Sequence, residues 1–550
     1  MSTVRDDEPA EGAAADDLPS ADDLPSAESD ELTRRVRAAA ELLELLQDDL
    51  EGLASLEYAD RKRLLMAAGR FARPSPEQKR AITRAFKRRK RQEAAKADER
   101  ALDRTGIRSS RQQRVFIPWQ FGATVDRTGT RPNVRRLKRP APPDTPAPDP
   151  QAPAFGAERP EQLNKPRHCY ICKAEFTEVH FFYDALCPPC AAMSWEKRNQ
   201  TADLSGRVAL VTGARVKIGF QAALMLLRAG ARVVVTTRFP RDAAARYAAE
   251  ADFPSWSSRL SIYGLDLRHT PSVDAFARSL DARIPQLDFI INNACQTVRR
   301  PVGFYDHLMV GETAAASSVP ATQQPLLAAY EELRGQRPTH ALTQAAAAIG
   351  LRDPASLSQL ALLEEDLDRS THLFPSGELD ADLQQVDLRE MNSWRLPLAE
   401  VSAVEMLEVQ LVNAVAPFIL NARLKPAMLR NNSHDRHIVN VSAMEGQFAR
   451  HLKTDRHPHT NMAKAALNMM TRTSAADYAR DGIHMNSVDT GWVTDEDPAA
   501  IAARKKREGF HPPLDIVEGA ARICDPIFSG LLTGKHIWGA FLKDYAPTPW

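Results

Sequence analysis

An α/β fold built on a doubly wound parallel sheet is predicted by three features of the chain. The apolar run Val208 to Thr212 breaks into a glycine turn, Gly213 to Gly219, and then into the helical pattern Phe220 to Ala229. Three more buried-type strands follow at the spacing of strand-helix-strand units: Ala231 to Thr237, a strand ending in Leu265-Asp266-Leu267, and Leu287 to Ala294. Glycine at 213 permits a sharp turn and glycine at 219 lets the first helical turn approach the strand. A pyrophosphate could therefore meet backbone N–H groups at the positive end of a helix dipole.

The remaining elements are read in chain order. Residues 1 to 31 are acidic and repeat Ala-Asp-Asp-Leu-Pro-Ser at 15 to 20 and 21 to 26, a polar composition that cannot bury a core, so disorder is expected. Residues 32–130 are expected to be a helical basic region. Val36, Leu42, Leu43, Leu45 and Leu46 give helical spacing up to about Leu56, and a second helix is expected from Ser75 into the 90s with Pro76 in its first turn. That helix carries Lys87-Arg88-Arg89-Lys90-Arg91, and residues 61 to 140 hold 25 basic against 6 acidic side chains. The patch suits nucleic acid or another polyanion, and equally a solvated face neutralised by the acidic tail. Residues 131–166, rich in proline with alternating charge, read as an extended linker.

Cys169 and Cys172, then 14 residues, then Cys187 and Cys190 form two CxxC pairs at the separation of a four-thiolate zinc site, and they use four of the six cysteines. His168 and His180 are nearby substitutes that a full thiolate set makes unnecessary. Phe176, His180, Phe181, Phe182 and Tyr183 supply a small core, so residues 167–200 are expected to be a zinc module packed on the sheet domain, 203–550. Cys295 and Cys524 stand alone; for Cys295 packing outweighs a redox or nucleophilic role.

Thr212-Gly213 with Gly219, Asp266, Asn292-Asn293-Ala294-Cys295, Asn413, Val441-Ser442-Ala443, Thr460 with Lys464, and Thr490-Gly491 occur in an order that resembles the short-chain dehydrogenase/reductase family. The resemblance covers residues 203 to 301 and 396 to 550. It implies a Rossmann-type fold and a nicotinamide dinucleotide held by Thr212, Gly213, Arg215, Lys217, Ile218, Gly219, Arg238, Asp266, Leu267, Asn293, Ala294, Lys464, Gly491 and, at a spacing one residue short, Thr494. It also implies pairing between subunits, as a homo-oligomer, through the helices around Asn413 and Lys464.

The departures bear on chemistry. Lys217 replaces the middle glycine of the phosphate loop, Cys295 the last glycine of the Asn-Asn-Ala-Gly motif, and Thr490 a proline. Ala443 stands at the position of the family's catalytic serine and Thr460 at that of its tyrosine, leaving Asn413 and Lys464. A phenol with a pKa of about 10 is lowered into use by the neighbouring lysine; a threonine hydroxyl is a far weaker acid. Lysine also binds the nicotinamide ribose, which accounts for Lys464 without turnover. His459, beside the missing tyrosine, is the candidate substitute acid, ahead of His457.

After the second strand, Thr236-Thr237-Arg238 offers no carboxylate for a ribose 2′-hydroxyl. Arg238, with Arg215 and Lys217 near it, suits a 2′-phosphate, so NADP is expected over NAD. Asn293 and Asn413 lie 120 residues apart. An insertion of about 302–395 therefore leaves the carboxyl end of the fourth strand, as a lid over an unnamed small-molecule substrate or as a docking arm, with Asp387 to Trp394 its most specific stretch. Two readings result: an oxidoreductase with a non-standard proton donor, or a catalytically silent NADP(H) sensor or scaffold. No apolar run approaches the length of a membrane-spanning helix, and a cytoplasmic setting is expected.

Overall fold

The computed structural model describes residues 26–112, 161–335, 349–380, 382–449, 453–494 and 496–550. The acidic tail up to residue 25, the proline-rich linker up to residue 160 and the Ala- and Gln-rich centre of the insertion, 336–348, lie outside the described residues. The chain divides into two units, residues 1–93 and 94–550.

In the first unit, helices Ser26–Asp48, Leu50–Ser55 and Tyr58–Ala72 are followed by the start of Pro76–Asp103. Residues 26 to 31, expected to be disordered, are therefore helical. Asp49 interrupts the first helical run by accepting from Gly52 N–H at 2.8 Å, as an N-cap does. Ser75 and Gln78 form a reciprocal capping box: Ser75 N–H donates to the Gln78 side chain at 2.9 Å and Gln78 N–H to Ser75 Oγ at 3.2 Å. Lys87 to Arg91 are all exposed.

In the second unit, strands β3 (Val208–Thr212), β4 (Arg232–Thr237), β5 (Leu260–Gly264), β6 (Phe289–Asn292), β7 (Arg436–Ser442), β8 (Ile483–Asp489), β9 (Phe541–Lys543) and β10 (Ala546–Thr548) form one sheet in the order β10-β9-β8-β7-β6-β3-β4-β5. All neighbours are parallel except β9 and β10. The chain winds outward from β3 to β5 and then returns to the other side of β3 as β6. The switch point between β3 and β6 opens the crevice in which such sheets bind ligands. Val211 sits opposite Val235 on one side and Ile291 on the other, and all three are fully buried, as strands covered on both faces require.

Helix Lys217–Arg228 packs on helix Ile516–Thr533, and Thr270–Arg283 on Ala416–Leu429. The helical run Ala403–Leu429 is long and apolar enough to cross a membrane, contrary to the expectation from sequence that no run approaches that length. It is interrupted by a five-residue wide turn, Leu411–Val415, and it buries Val409, Ala416, Leu420, Leu424 and Ala427 in the core of the sheet domain. A composition window registers apolar content and not the face on which it lies.

The cysteine module extends beyond 167–200. Residues 161–166, expected to be linker, belong to strand β1 (Glu161–His168), which pairs antiparallel with β2 (Glu175–Val179). Residues preceding the undescribed stretch complete its core. Ile107 is buried with Phe176, Tyr183 and Leu186, Gly106 and Ile107 N–H donate to Phe181 and Phe182 C=O at 2.9 and 2.8 Å, and Arg108 pairs with Asp184 at 2.7 Å. A hairpin of this size lacks the volume to bury its own aromatic residues, so it recruits a helix from 50 residues upstream or more.

Candidate functional site

The glycine turn is stitched together at the ends of β3 and β6. Asn293 Nδ2 donates to Thr212 C=O at 3.1 Å and Gly213 C=O at 3.2 Å, and Ala294 N–H donates to Thr212 Oγ1 at 3.0 Å. Gly213 has φ of 65°, and a Cβ there would stand 2.7 Å from Ala294 Cα; one on Gly219 would stand 2.2 Å from Asn293 Nδ2. Only glycine fits at either point. Lys217 has a left-handed backbone, with φ of 56°. Ile218 packs its side chain under Gly519.

The insertion reaches the cations flanking this turn. Arg215 is buried and donates to Asp242 and to Gln384 Oε1, both at 2.6 Å. Lys217 Nζ lies 3.9 Å from Asp382; burial opposes its charge, and Glu496, Asp382 and Asp380 outweigh that and raise its pKa. Arg246 donates to Asp382 and Leu383 C=O, both at 3.1 Å. Arg215 and Lys217, expected to add positive charge near a 2′-phosphate, thus face Asp242 and Gln384, and Asp382, respectively, the last two from the insertion. Arg238 differs. It donates to Tyr305 Oη at 2.7 Å with its guanidinium 4.7 Å over the same ring, and among the described residues no carboxylate pairs with it.

Asp266 is buried and spends its carboxylate on Arg268, at 2.7 Å. Burial alone would raise its pKa; Arg268 and then Arg238 reverse this and hold it below the usual carboxylate range. Leu267 is buried beside it, and Asp266 N–H donates to Gly350 C=O of the insertion at 2.8 Å.

At the other end, Asn413 lies in the wide turn and clasps one residue: its Oδ1 accepts from Gln296 N–H at 2.8 Å and its Nδ2 donates to Gln296 C=O at 2.9 Å. Lys464 is buried and donates to Val441 C=O at 2.8 Å, and no carboxylate pairs with it among the described residues. Ser442 Oγ and Thr460 Oγ1 are buried and have no hydrogen-bond partner among the described residues. His459, on helix Pro458–Arg480, is 1% exposed with neither ring nitrogen hydrogen-bonded, and its Nε2 is 3.9 Å from Glu405 Oε1. Burial, then the neighbouring His457, pushes its pKa down to about 4, so the ring is neutral near neutral pH. His457 points away, stacked on Trp394 of the insertion at 3.9 Å and bonded to Trp394 C=O at 2.9 Å. Gly491 has φ of 75°, Thr494 donates to Glu496 at 2.8 Å, and Cys295 is exposed.

The sulfur atoms of Cys169, Cys172, Cys187 and Cys190 all lie within 4.8 Å of one another, with Cys172 and Cys187 3.5 Å apart. A tetrahedron of thiolates about 2.3 Å from zinc has edges of about 3.8 Å, so the donor set fits that ion. The first pair sits on a tight turn in which Cys169 N–H donates to Ala174 C=O at 2.9 Å and Lys173 has φ of 64°. The second opens helix Pro188–Arg198. The Ala174 N–H, then Cys187, draws the Cys172 thiol down to about 7. His180 accepts from Phe182 N–H at 3.1 Å, and neither it nor His168 belongs to the four-donor cluster. Tyr305, Asp382, Gln384, Glu405 and Tyr170 were not singled out from sequence. The first four make contacts that only folding creates, whereas Tyr170 stood in view inside the first CxxC pair.

Residues 207–313 match the short chain dehydrogenase family model, and residues 390–512 match the enoyl-(acyl carrier protein) reductase model. An uncharacterized protein of Acanthamoeba polyphaga mimivirus is 31% identical over 379 residues, 66% of this chain and 71% of that protein. The dehydrogenase/reductase SDR family member 13 of Bos taurus is 37% identical over 128 residues, 22% of this chain. Retinol dehydrogenase 12 of the same species is 36% identical over 111 residues, 20% of this chain. The chain spans 32% and 35% of the length of those two relatives. The Pseudomonas aeruginosa RhlG/NADP active-site complex aligns at 17% identity and a TM-score of 0.38, over 62% of this chain and 95% of that one. Two family models matched in chain order on one doubly wound sheet, with the glycine turn just described, place the protein: it belongs to the short-chain dehydrogenase/reductase family.

Proposed function

We propose that the protein is an NADP(H)-binding oxidoreductase-like member of this family with a tyrosine-free active site and a small-molecule substrate. The observation that carries the reading is a pair of cations without carboxylate partners among the described residues, Arg238 beyond β4 and buried Lys464 beside β7. A buried ammonium with, among the described residues, one carbonyl acceptor has donors to spare, which suits ribose hydroxyls; a guanidinium whose hydrogen-bond partner among those residues is a phenol suits a 2′-phosphate. Thr212, Gly213, Ile218, Gly219, Asn293 and Ala294 would hold the pyrophosphate side, and Gly491 and Thr494 the nicotinamide side. Bound NADPH would supply a hydride. Asn413 fixes the loop at Gln296 that borders this end.

The test is a titration with NADPH and NADH followed by nucleotide fluorescence, with Arg238→Asp alongside. Binding of NADPH that the variant loses supports the reading; binding of neither nucleotide overturns it. A second reading, dinucleotide binding without turnover, rests on two points: threonine stands where the family resemblance puts the phenol, and His459 is neutral near neutral pH, so it lacks the acidic imidazolium proton. Single-turnover oxidation of bound NADPH by a panel of carbonyl compounds separates the two. The four cysteines are proposed to hold a structural zinc, and a cytoplasmic setting, where thiols stay reduced, is proposed with it.

A further inference from the structure

The cysteine module touches both walls of the dinucleotide cleft. Tyr170 lies between the ligand positions Cys169 and Cys172, and its hydroxyl accepts from Trp492 N–H at 2.9 Å. That amide follows Gly491, where a Cβ would stand 3.3 Å from the Tyr170 oxygen. The Tyr170 ring is held from the sheet side by Lys543, whose Nζ is 5.4 Å from the ring centroid and 3.4 Å from Asp489, the last residue of β8. From the second CxxC pair, helix Pro188–Arg198 sends Arg198 to both oxygens of Asp515 at 2.7 and 2.8 Å and Lys197 to Asp525 at 2.8 Å. Tyr183 donates to Glu518 at 2.5 Å. Those acids lie on or cap helix Ile516–Thr533, whose Gly519 rests on Ile218 of the phosphate loop, 2.9 Å from Ile218 Cδ1 to a Cβ built there.

We propose that Tyr170 is a positioning residue for the nucleotide-binding loop Thr490–Thr494, so that loading of the four-thiolate centre is coupled to dinucleotide affinity. The physical basis is local. A CxxC turn without its ion loses the constraint that fixes the two residues between the cysteines, and Tyr170 is one of them. Released, its ring leaves Trp492 N–H to water and frees a loop whose glycine, at φ of 75°, has little conformational resistance of its own. By linkage, a dinucleotide that needs the ordered loop raises the affinity of the thiolates for their metal by the same factor. The part concerning affinity rests on the dinucleotide reading above; the part concerning loop order does not.

The experiment uses the full chain loaded with zinc, with Tyr170→Phe as the variant, which keeps the ring and removes only the acceptor oxygen. Three quantities are measured: zinc content, NADPH affinity, and hydrogen–deuterium exchange of residues 490–494 without nucleotide. The expected result is one zinc per chain in both proteins, NADPH binding weakened about fivefold in the variant, and exchange at Trp492 faster by about tenfold. Stripping zinc from the wild type with a chelator is expected to speed exchange in the same segment. Unchanged exchange in the variant overturns the proposal whatever the affinity does, and so does a wild type that takes up no zinc. If neither protein binds NADPH while the exchange difference is present, the dinucleotide reading fails and the positioning role of Tyr170 stands.

Discussion

At the scale of single residues, Arg238, His459 and the Ala443/Thr460 pair are where the proposed function can be tested. Among the described residues Arg238 pairs with no carboxylate, so under the proposed reading a phosphate would gain a charge-assisted contact at little cost. Arg238→Asp is expected to weaken NADPH binding by about 30-fold or more while leaving NADH within about threefold, read by calorimetric titration. His459 is buried with its pKa at about 4. Between that value and the ordinary value near 6.5 the unfolded chain binds the proton and the folded chain does not. Stability from this residue is therefore complete above about pH 6.5, is lost as pH falls toward 4, and amounts to about 3 kcal/mol. Denaturant unfolding at pH 7 and 4.5 should show that loss in the wild type and a smaller one in His459→Leu. The double variant Ala443→Ser with Thr460→Tyr restores the hydroxyl and the phenol beside Lys464. A gain of carbonyl reduction with NADPH, assayed by absorbance, would show a site otherwise competent for hydride transfer.

At the scale of elements, the insertion and the cysteine module each have a definable task. The described part of the insertion is tied to the sheet domain: Gln384 accepts from Arg215, Asp382 lies 3.9 Å from Lys217, Tyr305 accepts from Arg238, Gly350 C=O accepts from Asp266 N–H, and Trp394 stacks on His457. Its contacts run from Arg238, through Tyr305, to His457 beside Thr460, through Trp394. The module gathers its four thiols within 4.8 Å of one another, as the proposed zinc site requires. Chelation is expected to raise hydrogen exchange throughout β1, β2 and helix Pro188–Arg198 while β3, β6 and β7 keep their protection, because only the small core relies on metal. Equal loss across the sheet would refute that division.

At the scale of the whole molecule, exposed apolar side chains gather on the two helical runs that the family resemblance assigns to subunit pairing. Phe418 is 61% exposed, Met462 53% and Met469 59%, on Ala403–Leu429 and Pro458–Arg480. We expect a homodimer through these helices, with Phe418→Glu shifting it to monomer in sedimentation velocity at micromolar concentration and leaving the far-ultraviolet circular dichroism unchanged. A wild type that sediments as a monomer would refute this. The sheet itself buries ample apolar surface within one chain, so the variant should remain folded.

The sequence by itself determined the sheet and the glycine turn, because both depend on local pattern. Apolar runs at strand length, glycines at 213 and 219, and the Asn292-Asn293-Ala294 turn each encode their conformation within a few residues, and the thiolate spacing encodes its cluster. Tertiary structure alone decided which charges are free. Arg215, Lys217 and Arg238 look alike in sequence, yet Gln384 and Asp382 arrive from some 170 residues away to occupy two of them and leave the third with a phenol. The same holds for His459, whose chemistry follows from burial against Glu405, and for Tyr170, which becomes informative only where it meets Trp492. Local propensity is written in neighbouring residues, whereas the state of a charge is set by whatever the fold packs against it.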